Sequence, residues 1–71
     1  MISRNELATE IATQHDIRAA YAIDLVDTAV GHIRIHPDLY DADTGQVTDA
    51  GAAMIRTQVA TEIGDAQSGL R

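Results

Sequence analysis

The stretch from His36 to Asp49 decides how this chain can fold, because it interrupts helical spacing that runs through the rest of the sequence. Pro37 lacks a backbone donor and pushes His36 out of the helical region. Beyond it, Asp38, Asp41, Asp43 and Asp49 stand with no basic residue among them, and Asp43-Thr44-Gly45 lies between Leu39-Tyr40 and Gln46-Val47. Asp side chains bond their own backbone in turns, and Gly45 is free to take a positive φ. A loop or a short hairpin is therefore expected here.

On the N-terminal side, Ser3-Arg4-Asn5-Glu6 fits a capping box, with Ile2 and Leu7 as the accompanying hydrophobic staple. A helix is predicted from Arg4 to about His15, with Leu7, Ala8, Ile11 and Ala12 on one stripe. The next apolar set is Ile17, Ala20, Tyr21, Ile23, Leu25, Val26, Ala29, Val30 and Ile33. It is too wide for one surface stripe, so the spacing predicts a central helix buried on much of its circumference. Asp16 is its expected cap, and Gly31-His32 or Pro37 its expected end. A third helix is predicted after a cap at Thr48 or Asp49, burying Ala52, Ile55, Val59 and Ile63 with support from Met54 and Ala60, and stopping at Gly64. These elements make a mainly α protein: a small three-helix bundle with a short β-hairpin or turn-rich loop between helices 2 and 3. Residues 1–64 are read as a single helical domain and 65–71 as a flexible C-terminal tail.

At 71 residues the chain is one domain at most. It has no Cys, so disulfides and thiolate metal sites are excluded, and its N-terminal residues lack the apolar run of a signal peptide or membrane span. A cytoplasmic, intracellular protein is expected. Although 45% of residues are apolar, Tyr21 and Tyr40 are the only aromatics, so the core is thin. A domain this small buries only about 60% of its unfolded surface. Without disulfide or metal, the remaining source of stability is contact with another chain. A homodimer, or a larger protein partner, is the expectation.

The order helix, short turn, helix over Glu6 to Val30 resembles the helix-turn-helix family, with Leu7, Ala8 and Ile11 as the buried residues of a first helix and Ile17 and Tyr21 as those of a second. His15-Asp16 stands where that family usually has a glycine. The resemblance implies DNA binding, in a regulatory or accessory protein. The absence of Lys beside twelve Ala and eight Asp suits a GC-rich coding sequence of bacterial, plasmid or phage type. Candidate DNA or partner contacts are Arg56, Thr57, Gln58 and Thr61 on the third helix, with Arg18 and Arg34 beside the second. Against DNA stands a formal net charge of -6, with the acid concentrated in the 37–50 connection. That field opposes the approach of phosphate at long range.

Chemistry has less support. Asp41, Asp43, Val47 and Asp49 fall at the first, third, seventh and ninth places of a calcium loop, but Gly45 is one place early and Ala52 stands where the bidentate acid belongs. His32 and His36 are four apart, with Asp38 as a third ligand, but Pro37 breaks the helix that would align them. Asp24 and Asp27 are read as a solvated helix face. Ser3 is accounted for by capping, and no Cys nucleophile or glycine-rich phosphate loop is present. No cofactor, metal, membrane or small-molecule substrate is expected, and the protein is not read as an enzyme. The charge favours a protein-interaction module over DNA binding.

Overall fold

The computed structural model describes residues 1–68, with side chains through residue 65. The chain begins with a two-residue strand, β1 (Ile2–Ser3), that runs directly into helix α1 (Arg4–His15). Ser3 ends the strand and caps the helix, its Oγ accepting from the Glu6 amide at 3.1 Å. This satisfies one of the orphan donors of the first turn. Leu7, Ala8 and Ile11 are buried, and Ala12 packs against the same cluster.

Three residues separate α1 from α2 (Ala19–Ile33), and Asp16 makes the reversal. It adopts φ 52° and ψ 50°, and both its own amide and that of Ile17 donate to the Ala12 carbonyl. Asp16 therefore closes α1 instead of capping α2, whose N-cap is Arg18 with no side-chain cap bond. So short a link needs one residue in the left-handed region, and Asp tolerates that conformation better than most residues.

α2 buries Ala22, Val26, Ala29, Val30 and Ile33. This is a single stripe, not most of the circumference: Tyr21 is 42% and Ile23 40% exposed. In a chain of this length only α1 and α3 are available to cover α2, and they take one side of it. The helix ends four residues before Pro37, and the chain turns with the Leu39 and Tyr40 amides both donating to the His36 carbonyl.

The connection forms a hairpin of β2 (Tyr40–Asp41) and β3 (Gln46–Val47). At its tip the Asp43 amide donates to Asp41 Oδ1 at 3.0 Å, the Gly45 amide to the Asp41 carbonyl at 2.8 Å, and Gly45 takes φ +71°. The sheet also has a third strand that the sequence pattern does not reveal. β1 pairs antiparallel with β3, Ile2 opposite Val47, giving the order β1-β3-β2 and leaving Val47 central and fully buried.

α3 (Asp49–Ser68) is capped by Thr48. Thr48 Oγ1 accepts from the Gly51 amide at 3.1 Å and donates to the Asp38 carbonyl at 2.8 Å, while the Thr48 amide donates to the Leu39 carbonyl. Ala52, Ile55, Val59 and Ile63 are buried, as their spacing predicts. Met54 is 51% exposed and Ala60 also faces solvent, so neither supports the core. Nor does the helix stop at Gly64: it continues to Ser68, because an exposed glycine inside a helix costs only about 1 kcal/mol. Of the expected tail, residues 69–71 lie outside the described residues.

Gly51 is where α3 meets the connection. A Cβ placed there would lie 2.0 Å from the Leu39 carbonyl oxygen and 2.9 Å from Val47 Cγ1. Gly51→Ala is expected to destabilise the protein by ~1–3 kcal/mol through overpacking. Gly31→Ala, where nothing lies within 4 Å, should stabilise it by about 0.5–1 kcal/mol. Urea unfolding of both variants checks the contrast; equal effects of the same sign would refute the close approach.

Candidate protein-docking surface

The six residues singled out from the sequence do not converge. Arg18 and Arg34 flank α2 at opposite ends, about 24 Å apart at 1.5 Å per residue. On α3, Arg56 turns back to α1. Its Nε donates to Glu10 Oε2 at 2.6 Å and its second guanidinium nitrogen to Glu10 Oε1 at 3.1 Å, a bidentate pair between partly exposed side chains. The hydrogen bond from Arg56 holds the Glu10 carboxyl below its usual range, burial acting in the opposite direction, and the same bond raises Arg56. Thr57 and Thr61 hydroxyls donate to the carbonyls of Ala53 and Thr57 on their own helix. A phosphate oxygen needs a donor, and these two are already engaged. Gln58 is half-buried.

Some of the acidic residues are also tied into the fold. Asp27 pairs with Arg4 at 3.5 Å across α2 and α1. Asp41 makes the Asx turn described above, so one of its oxygens already accepts a backbone bond. His36 lies beyond the end of α2, so it does not share a helix face with His32. Among the described residues no group of three His, Cys, Asp or Glu is arranged to hold a metal ion, and no helix is long and apolar enough to cross a membrane.

A cleft at the sheet end of the molecule escapes sequence reasoning. It measures about 380 Å³ and lies between the segment that leaves α2 and the β2–β3 hairpin. Arg34, Ile35 and Pro37 form one wall and Tyr40, Asp41, Ala42 and Asp43 the other, with Met1 and Thr48 completing it. Ile35 is 79% exposed, the most exposed large apolar side chain among the described residues, and Met1 is 59% exposed. Elsewhere among the described residues the exposed large apolar side chains, Tyr21, Ile23 and Met54, are scattered. Tyr21 and Ile23 are two residues apart on α2, which puts them about 200° apart around its axis.

The walls carry opposite charges that remain unpaired. Among the described residues neither Arg34 nor Asp43 makes an ion pair, although both line the cleft. Of these residues only Arg34 is a candidate partner contact from the sequence; Asp41 and Asp43 stand there at calcium-loop positions, and Pro37 and Thr48 are helix punctuation. Ile35 carried a weak signal: a β-branched apolar residue isolated between Arg34 and His36, outside any helical stripe.

Comparison of the chain with protein-family models, with curated proteins and with solved structures found no match.

The Glu10–Arg56 pair gives a pH dependence of defined sign. Because the folded Glu10 value is depressed, its contribution is present above the ordinary carboxylate range and is lost as pH falls through the folded value. Wild type should have a higher urea midpoint than Glu10→Gln at about pH 7, with the gap closing near pH 2. A gap that persists in acid would show that the pair does not act through ionised Glu10.

Proposed function

We propose that this protein is a small protein-interaction module that docks partners through the cleft at its sheet end, and that it has no catalytic role. The observation that supports this reading is Ile35, an aliphatic side chain left 79% exposed at a cleft of mixed apolar and polar lining, flanked by charges that have no ion-pair partner among the described residues. Single exposed apolar residues are common on protein surfaces; an apolar group gathered around a concavity and rimmed by charge is the composition of an interface. The acid of the hairpin and the net charge of -6 favour protein over nucleic acid. A photo-crosslinking residue at Ala42 on the cleft, introduced into the full chain in cells, should yield protein adducts that Ile35→Asp abolishes. The same residue at Thr61, on the outer face of α3, should yield none. Adducts independent of Ile35, or none at all, would refute the docking site.

A second reading is DNA binding in a helix-turn-helix-like protein. Two features favour it: α1 and α2 are joined by only three residues, and Asp16 adopts the left-handed conformation for which a glycine is usual in that turn. Other features oppose it. Tyr21, expected among the buried residues of the second helix, is exposed; α2 shows Asp24 and Asp27 to solvent, and Arg56 is bound to Glu10. On the protein-docking reading, a gel-shift titration with duplex DNA at low salt produces no complex. A complex whose affinity falls steeply with salt would instead favour DNA.

A further inference from the structure

We infer that the occupant of the cleft is the same cleft of a second copy of this chain, in a twofold dimer in which Ile35 of each protomer enters the concavity of the other. The inference rests on the docking reading above and names its partner. A twofold interface brings one surface patch against itself, so a patch suited to it must carry both halves of each contact. This one does. It has a protruding aliphatic residue, Ile35, and a concavity of about 380 Å³ walled by Pro37, Tyr40 and Ala42 that could receive it. It also has a cation on one wall and a carboxylate on the other, Arg34 and Asp43, both exposed and neither ion-paired among the described residues. Across a twofold axis Arg34 would meet Asp43 of the partner subunit, and Asp43 would meet the partner's Arg34. A partner of purely basic character would leave Arg34 facing like charge; a purely acidic one would oppose Asp41 and Asp43. A second copy satisfies both walls.

The other exposed features offer no such match. The outer face of α3 presents Met54 with the acids Glu62 and Asp65 and, among the described residues, no cation, so it lacks both halves of a self-complementary contact, and Tyr21 and Ile23 point to different sides of α2.

Sedimentation velocity of the full chain, from micromolar to millimolar concentration, tests the inference. Wild type should show a reversible monomer–dimer equilibrium. Ile35→Asp, at a site too exposed to affect folding, should weaken it by about tenfold or more. Arg34→Asp and Asp43→Arg should each weaken self-association, since each places like charges at both symmetry-related contacts. Mixing these two variants in equal amounts should restore a dimer, because in the mixed pair both contacts again join opposite charges. Circular dichroism and thermal melting confirm that each variant is folded. Wild type that stays monomeric throughout, a dimer unmoved by Ile35→Asp, or a mixture that fails to associate would each overturn the second-copy assignment. If wild type is monomeric while Ala42 still crosslinks to a different protein in an Ile35-dependent manner, the docking reading survives and only the identity of the partner is lost.

Discussion

The approach of α3 to the Leu39 carbonyl, which Gly51 alone permits, ties together parts of the chain that are weak separately. A two-stranded hairpin of four paired residues has little stability in water, and β1 is only two residues long. Because α3 starts immediately after β3 and its first turn lies against Leu39, the hairpin is held against a helix. Thr48 makes the same junction polar-complete: its hydroxyl serves Asp38 and Gly51, and its amide serves Leu39. Val47 is then enclosed between Ile2 and Tyr40 within the sheet and the first turn of α3 alongside. The walls of the cleft inherit their positions from this junction, since Tyr40 and Thr48 are parts of it.

The four arginines among the described residues divide into two groups with different consequences. Arg4 and Arg56 are paired inside the fold, with Asp27 and Glu10, and fasten α1 to α2 and to α3. Arg18 and Arg34 sit at the two ends of α2 and have no ion-pair partner among the described residues. A chain of net charge -6 with half of these cations internally neutralised presents a mostly negative surface. Such a field opposes the long-range approach of phosphate backbones, in keeping with the proposed protein docking.

Much of the architecture was legible because it depends on local rules. Ser3 and Thr48 cap helices where side-chain oxygens stand at their starts, and Gly45 supplies the positive φ of the hairpin. The failures are equally specific. Asp16 looked like a cap from composition, yet the three-residue link needed a left-handed turn. Gly64 looked like a stop, but nothing beyond it required the chain to change direction within the described helix. Tyr21, Ile23 and Met54 matched apolar spacing, yet the small molecule had no surface left to cover them. β1 was hidden because Ile2–Ser3 is shorter than any period can register, and its partner lies more than forty residues away.

Helix positions, the turn at Gly45 and the buried faces of α1 and α3 follow from sequence alone, since capping, proline geometry and a 3.6-residue period act between residues a few places apart. Which apolar residues stay outside, which arginines are neutralised and where a concavity opens depend on pairs such as Ile2 with Val47, Glu10 with Arg56 and Leu39 with Gly51. Those pairs form only when distant segments share a limited volume, so their outcome belongs to the tertiary structure.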